Sequence, residues 1–152
     1  MSILKGKTAV VTGSTSGIGL GCARAFAGVG ANIALNGIGA PADVEKTRSA
    51  IENDFGVKAI YSPANMAEPM EIASMISLAE KTLGRVDVLV NNAGIQHVSP
   101  IEDFPVEKWD AVIAITLLRI PCDPCRYSWH EATRLGPNHQ YGVGAFAGRI
   151  AI

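Results

Sequence analysis

The chain has 152 residues, of which 48% are hydrophobic and 18% charged, and its net charge is −1 at pH 7. This length suffices for one ordinary domain with its own core, and the charge balance argues against nucleic acid and anionic membranes as partners. No apolar run is long enough to span a bilayer and no signal peptide is recognisable, so we expect a cytoplasmic protein. Three cysteines are too few for a disulfide scaffold.

Short apolar segments rich in β-branched residues alternate with longer amphipathic segments. The predicted strands are 8–12, 31–36, 57–61 and 86–90, and the predicted helices are 17–29, 41–55, 69–83 and 106–115. Pro41 and Pro69 open two of the helices, and Gly56 and Gly84 end them. This alternation predicts an α/β fold with a Rossmann-type, doubly wound parallel sheet of strand order 3-2-1-4.

The alternating pattern stops after residue 116. The segments PCDPC and GPNHQYGVG are typical of loops, and their glycine and proline content argues against a further strand. We therefore divide the chain into a Rossmann domain at 1–115 and an irregular tail at 116–152. The later strands of the sheet are then missing, and the edge of the strand at 86–90 is unpaired.

The sequence TGSTSGIG at residues 12–19 joins the first predicted strand to the first predicted helix. Gly13 permits a turn at the end of the strand, Gly17 lets the backbone approach a pyrophosphate closely, and Gly19 lets the helix pack tightly on the sheet. The helix N-terminus offers N–H donors and the positive end of its dipole to phosphate groups. The strand before this segment and the helix after it supply the context that a dinucleotide-binding turn requires.

A second polar segment, NNAG at residues 91–94, directly follows the fourth predicted strand. Taken alone, it is typical of an ordinary turn. The carboxyl ends of parallel strands form the ligand crevice of a doubly wound sheet, so we expect this segment to lie beside residues 12–19.

Together, the two segments resemble the TGxxxGxG and NNAG motifs of the short-chain dehydrogenase/reductase family. The segments NNAGIQHVSPIEDFPVEKWD, LNGIG and ANM are similar, more narrowly, to those of D-3-hydroxybutyrate dehydrogenases, and the resemblance covers residues 1 to about 115. It implies a Rossmann fold, NAD as the cofactor and a small-molecule hydroxy acid as the substrate. The implied reaction is the NAD-dependent oxidation of D-3-hydroxybutyrate to acetoacetate by a homotetramer, and we expect this chain to lack the helices through which the family assembles.

Carried over residue by residue, the resemblance implies a cofactor site and one substrate contact. Asn36 would face the adenosine ribose, where many NAD-preferring relatives have an acidic residue, and the lack of a nearby arginine favours NAD over NADP. Gln96 would help to hold the substrate carboxylate. The implied cofactor-binding residues are Gly13, Ser14, Thr15, Ser16, Gly17, Ile18, Gly19, Asn36, Asn65, Met66, Asn92, Ala93 and Gly94.

The tyrosine and lysine that perform catalysis in that family are missing from this sequence. A tyrosine acts as a general acid/base near neutral pH only if a nearby cation lowers the pKa of its phenol, and the family places a lysine four residues later. None of Tyr61, Tyr127 and Tyr141 has a lysine at that spacing, and no lysine follows Lys108. Thr116 stands where the family has an asparagine, so we predict no catalytic residue in this chain.

The tail has two further interpretations. Cys122 and Cys125 form a C-x-x-C motif with His130 and His139 downstream, but the spacing fits no common zinc finger, and we predict no metal site. Reading the tail one nucleotide later, with synonymous codons chosen freely, can yield a segment that contains GRIINMAS, which resembles the fifth strand of the family. We therefore interpret the residues after Thr116 as an out-of-frame tail.

Three hypotheses for function follow from the sequence. The chain is an active NAD-dependent hydroxy acid dehydrogenase, a catalytically incomplete fragment of one, or a non-catalytic nucleotide-binding module whose tail binds metal. The missing tyrosine and lysine favour the second hypothesis for this chain and leave the first as a description of its lineage.

Overall fold

The computed structural model describes residues 2–116, 140–142 and 149–151. The elements predicted for the first 116 residues are all present, with bounds that differ from the predicted ones by at most two residues. A 3-10 helix at Ile101–Asp103 precedes the last helix. The strands are Thr8–Val11 (β1), Asn32–Asn36 (β2), Ala59–Ser62 (β3), Val86–Asn91 (β4), Gln140–Gly142 (β5) and Arg149–Ala151 (β6), and the helices are Gly17–Gly28 (α1), Pro41–Phe55 (α2), Pro69–Leu83 (α3) and Val106–Thr116 (α4).

Local backbone preferences explain where α2 and α3 begin and end. Pro41 and Pro69 each lie in the first turn of a helix, where the backbone N–H has no intrahelical acceptor and its loss costs nothing. Gly56 ends α2 with a left-handed φ of 66°, and Gly84 ends α3 with a φ of 92°. Residues with a side chain rarely adopt these backbone angles, so the two glycines are the signals that stop the helices.

The first four strands form a parallel sheet in the order β3-β2-β1-β4, as the alternating pattern predicts. β1 lies between β2 and β4, pairs with both, and is buried along its whole length. From β1, the strands β2 and β3 extend the sheet to one side, and β4 extends it to the other side. The direction in which successive strands are added therefore reverses between β1 and β4. The carboxyl ends of β1 and β4 therefore mark the crevice where sheets of this kind bind ligands.

Two hydrophobic clusters pack against the sheet. One cluster joins Ala23 and Ala27 of α1 and Ile51 of α2 to buried residues of β1 and β2. The other joins α3 to the sheet through Met75 and Ile76. Burying one such large aliphatic side chain contributes about 1.5–3 kcal/mol, so these two layers hold the strand ends in place.

The sheet continues beyond β4, which the sequence does not predict. β6 pairs antiparallel with β4, and β5 pairs antiparallel with β6, so the order of the described strands is β3-β2-β1-β4-β6-β5. The expectation of an unpaired β4 edge and of a wholly irregular tail is therefore wrong at residues 140–142 and 149–151. A sheet edge offers unpaired N–H and C=O groups to any extended segment, and a pairing of three residues leaves no hydrophobic period in the sequence.

Helix α4 stands apart from the two clusters, because none of its residues is buried. Its side chains Val106 and Trp109 are 69% and 54% exposed. Edge-to-face ring contacts join His97 to Phe104 at 5.2 Å and Phe104 to Trp109 at 6.0 Å, which fixes the segment before α4 against its first turns. Within the described part of the chain, no helix combines the length and apolarity that crossing a membrane requires.

Candidate nucleotide-binding site

The first half of the glycine-rich segment is tied to β2. Gly13 has a left-handed φ of 62°, and its N–H donates to Oδ1 of Asn36 at 3.3 Å. Ser14 is fully buried: its hydroxyl donates to the carbonyl of Val11 at 2.6 Å and accepts the N–H of Asn36 at 3.0 Å. Ser14 is one of the residues expected to bind the cofactor. Its side chain fixes the turn onto the neighbouring strand, because its hydroxyl both donates and accepts a hydrogen bond inside the protein.

The side chain of Asn36, which is expected to face the adenosine ribose, is hydrogen-bonded inside the protein. It is 1% exposed, and Nδ2 donates to the carbonyls of Ser62 at 3.1 Å and Ala64 at 2.9 Å. With Oδ1 bound to the N–H of Gly13, the amide joins the turn after β1 to β2 and to the end of β3. A carboxylate has no N–H groups to donate to the two carbonyls, which explains why an amide fits this position.

The second half of the segment faces outward. Ser16, Gly17 and Ile18 are exposed, and α1 begins at Gly17 without a side-chain hydrogen bond from its N-cap, Ser16. The N–H groups of a first helical turn have no intrahelical acceptor, so they are available to a ligand. A Cβ atom on Gly17 would have no atom within 4 Å, which leaves open space in front of these donors. The arrangement fits a phosphate group.

Gly19 shows why the segment needs a glycine inside the helix. It is buried, and a Cβ atom there would overlap the carbonyl oxygen of Gly13 and lie 2.5 Å from Nδ2 of Asn92. The close packing of α1 on the ends of β1 and β4 that the sequence predicts is therefore present.

Thr12 and Asn92 join the two motifs. The hydroxyl of Thr12 accepts the N–H groups of Asn92 at 3.0 Å and Ala93 at 2.9 Å. In return, Nδ2 of Asn92 donates to the carbonyls of Thr12 at 3.0 Å and Gly13 at 3.1 Å. Thr12 is not among the predicted cofactor residues, and its place as the last residue before the turn is the signal that could have identified it.

The remaining predicted residues lie around this edge with different roles. Asn65 organises the start of α3: its Oδ1 accepts the N–H of Ala67 at 3.0 Å, and its own N–H donates to Glu71 at 2.8 Å. Met66 packs against the cluster formed with α3. Gly94 and Gln96 are exposed in the segment that follows β4.

No charged side chain belongs to the segments that form this edge, which are residues 12–19, 36–39, 64–66 and 91–96. The attraction for an anion therefore rests on backbone N–H groups and on the dipole of α1. Among the described residues, the side chains with a shifted pKa lie outside these segments. Burial raises the pKa of Asp87, but hydrogen bonds from Arg85, the N–H of Thr8 and Lys7 outweigh burial and hold that pKa below its ordinary value. This carboxylate marks the opposite end of the sheet.

The described residues include no group of three or more histidine, cysteine or acidic side chains that could hold a metal ion. The C-x-x-C cysteines and the two histidines downstream of them lie outside the described residues; they are Cys122, Cys125, His130 and His139.

The sheet order, the open start of α1 and the link between residues 12–19 and 91–94 define a Rossmann-type fold. The family model of the short chain dehydrogenases matches residues 7–119, and the chain belongs to that family. It is 55% identical over 115 residues to a D-beta-hydroxybutyrate dehydrogenase of Cupriavidus necator, which covers 76% of this chain and 44% of that protein. It is 50% identical over 111 residues to a D-beta-hydroxybutyrate dehydrogenase of Rhizobium meliloti, which covers 73% of this chain and 43% of that protein.

Solved structures agree with this assignment. L-sorbose reductase from Gluconobacter frateurii, complexed with NADPH and L-sorbose, superposes with a TM-score of 0.71 and 31% sequence identity. The match covers 78% of this chain and 45% of that chain. This chain thus spans less than half of the length of the relatives it matches.

Proposed function

We propose that this chain binds NAD at the carboxyl edge of its sheet, as the cofactor-binding part of an NAD-dependent oxidoreductase that acts on D-3-hydroxybutyrate. The observation that carries the proposal is the open first turn of α1, whose N-cap Ser16 leaves the N–H groups uncapped beside the exposed Gly17. The identity of 50–55% to D-beta-hydroxybutyrate dehydrogenases supports the reaction class.

The preference for NAD over NADP rests on the loop after β2. Residues 36–42, NGIGAPA, contain no lysine or arginine that could neutralise a 2′-phosphate. A phosphate monoester carries close to two negative charges near pH 7, and a site that binds it normally supplies a cationic partner. A sorbose reductase of the same fold is complexed with NADPH, so the fold itself does not exclude a 2′-phosphate, and the choice falls to this loop.

In an enzyme of this class that has its catalytic residues, bound NAD would supply the carbon that accepts a hydride from the substrate. The residues of this chain bind and orient. The first-turn N–H groups of α1 hold the pyrophosphate, and the segment of Ala93 and Gly94, fixed by the hydroxyl of Thr12, borders the nicotinamide ribose. Gln96, exposed beyond Gly94, donates its amide to the substrate carboxylate.

We propose further that the chain, as it stands, binds NAD without oxidising the hydroxy acid. No tyrosine in the 152 residues has a lysine four positions later, and a phenol is a poor base at neutral pH without a cation that stabilises its anion. The family match ends at residue 119, close to Thr116, where the sequence analysis places a change of reading frame.

Titration calorimetry of the purified chain with NAD and NADP tests the cofactor proposal. We expect saturable binding of NAD at one site and weaker binding of NADP. Absence of NAD binding by a folded sample, judged by its circular dichroism, would contradict the proposal.

Three further measurements test the incomplete chemistry and the two interpretations of the tail. Incubation with NAD and D-3-hydroxybutyrate should give no NADH absorbance above background, and any turnover would contradict the proposed loss of activity. Sequencing the encoding DNA around the codon of Thr116 tests the out-of-frame tail, which is wrong if the shifted frame reads as unrelated to a fifth strand. Metal analysis of the purified protein tests the alternative of a metal-binding tail, since that alternative requires a stoichiometric ion.

A further inference from the structure

Two hydroxyl groups from different elements bind consecutive carbonyls of the loop between β2 and α2. The phenol of Tyr61, in β3, donates to the carbonyl of Gly37 at 2.7 Å. The hydroxyl of Thr15, in the glycine-rich segment, donates to the carbonyl of Ile38 at 2.9 Å. We call this pair of contacts the hydroxyl clamp. It fixes the loop from both sides, because its two donors lie on separate parts of the sheet edge.

Tyr61 is held firmly enough to act as a fixed donor. It faces Leu35 of β2 in the sheet register, and its ring packs against the buried cluster formed with α1 and α2. A hydroxyl on an aromatic ring that packs in this way loses little conformational entropy when it donates a hydrogen bond.

The backbone of the loop is shaped to meet the clamp. Gly37 has a φ of 149°, and a Cβ atom there would lie 2.7 Å from Oγ1 of Thr15 and 3.2 Å from its Cγ2. A side chain at position 37 would therefore push the loop away from the glycine-rich segment. The next residue, Ile38, is 97% exposed, so an apolar side chain projects from the loop into solvent.

We propose that Tyr61 is a positioning residue that, together with Thr15, holds the loop at Gly37–Ile38 in the shape that accepts an unphosphorylated adenosine ribose. The inference rests on the proposed binding of NAD and adds the device that selects between the two dinucleotides. It makes no use of the side chain of Asn36, whose buried amide is bound to carbonyls inside the protein.

The clamp favours NAD over NADP because it prevents the loop from moving. A 2′-phosphate at this loop would face the carbonyl oxygens of residues 37 and 38 and the apolar Ile38, with no cation in the segment 36–42. Its desolvation would then be uncompensated unless the loop moved aside. The clamp opposes that movement and at the same time keeps the loop in place for a neutral ribose.

The test uses the full chain in four variants. Tyr61→Phe and Thr15→Val each remove one hydroxyl of the clamp while keeping the shape of the side chain, and Thr15→Ser restores a hydroxyl at position 15. Thr8→Val is the matched control, because it removes a hydroxyl that donates to the carbonyl of Leu83 at 3.1 Å at the other end of the same sheet. Calorimetry gives the dissociation constants for NAD and NADP, and hydrogen exchange follows the amides of residues 37–40 and, as an internal reference, those of β1.

We expect Tyr61→Phe and Thr15→Val to weaken NAD binding by about 3- to 10-fold, as the loss of one hydrogen bond predicts. NADP binding should change less, so the two dissociation constants should become more similar. In the hydrogen exchange, only the amides of residues 37–40 should exchange faster. Thr15→Ser should recover the preference of the wild type. Thr8→Val should lower thermal stability without changing the ratio of the two dissociation constants. If the role of Tyr61 were purely structural, Tyr61→Phe would give the same result as this control.

The outcomes separate the inference from the proposed function. If the wild type binds NAD and neither Tyr61→Phe nor Thr15→Val changes the preference, the clamp has no selective role and the proposed function stands. If the wild type binds neither dinucleotide, the proposed function fails and the selective role fails with it. If one variant does not fold, the other removes the second contact of the clamp and decides the question.

Discussion

Gly19 and Gly21 lie on the same helix, two positions apart, in opposite surroundings. A Cβ atom on Gly19 would overlap the carbonyl oxygen of Gly13, whereas one on Gly21 would have no atom within 4 Å. We expect Gly19→Ala to destabilise the chain by about 1–3 kcal/mol, because backbone of β1 or α1 must shift to admit the methyl group. NAD binding should weaken as well, since that shift moves the first turn of α1. Urea unfolding and calorimetry measure the two effects.

Gly21→Ala is the matched control for that prediction. It should stabilise the chain by about 0.5–1 kcal/mol, because alanine has the higher helix propensity and its methyl group points into open space. Equal effects of the two substitutions on the free energy of unfolding would contradict the packing role assigned to Gly19.

At the scale of the element, a substitution at the start of α1 that stabilises the helix is expected to weaken ligand binding. Ser16 is the N-cap but makes no capping hydrogen bond, so Ser16→Asp should cap the helix and favour its dipole, with a gain of about 0.3–1 kcal/mol. The same carboxylate would stand beside the bound pyrophosphate and repel it. We therefore expect a higher melting temperature together with weaker NAD binding, measured by thermal unfolding and calorimetry on the same samples.

Two variants separate the charge from the cap. Ser16→Asn caps the helix without a charge, so it should stabilise the chain and leave NAD binding less affected than Ser16→Asp does. Ser74→Asp, at an exposed position of α3, adds the same charge away from the site and should leave NAD binding unchanged. If Ser16→Asp binds NAD as tightly as the wild type does, the pyrophosphate does not lie at this helix start.

The amino end of the sheet carries a pH-dependent contribution to stability. The side chain of Asp87 is 11% exposed, and its pKa lies below the ordinary value because hydrogen bonds from Arg85, Thr8 and Lys7 outweigh the effect of burial. A carboxylate with a lowered pKa in the folded state stabilises above its unfolded pKa of about 4, and this contribution is lost as the pH falls further. We expect urea unfolding to show a loss of stability below about pH 4 that Asp87→Asn reduces.

Lys7→Met tests the same network from the partner side. The Nζ atom of Lys7 lies 3.1 Å from the carboxylate of Asp87, and the substitution removes this donor. The acid dependence of the free energy of unfolding should therefore fall between those of the wild type and of Asp87→Asn. If wild type and Asp87→Asn lose stability in parallel between about pH 5 and pH 3, another group causes the loss.

The helices and strands could be predicted from the sequence where a local signal determines their bounds. The candidate site could be predicted only in part. The bounds of α2 and α3 agree with the prediction at both ends, because Pro41, Pro69, Gly56 and Gly84 act through their own backbone preferences. The direction of the Asn36 side chain could not be predicted, since it depends on where the carbonyls after β3 lie. The contact of Tyr61 with Gly37 joins residues 24 positions apart, and no local pattern encodes such a contact.

At the scale of the whole molecule, the pairing of β6 with β4 is the feature that the sequence does not predict and that most needs a test. β6 has a neighbour on each side, β4 and β5, so the N–H of residue 150 points toward one of them. Ile150→Pro removes that N–H and should disrupt the pairing. We expect the amides of Leu89–Asn91 in β4 to exchange faster, and the chain to aggregate more readily through the newly exposed edge.

Ile150→Ala is the control, because it keeps the backbone N–H and so keeps the pairing. Residues 9–11 of β1 are the internal reference, since β2 and β4 flank them in both variants. Unchanged exchange in β4 of Ile150→Pro would show that β4 is a free edge in solution, as the sequence pattern predicts. Faster exchange in β4 alone would establish that residues after Thr116, which carry no readable strand pattern, still extend the sheet of this Rossmann-type fold.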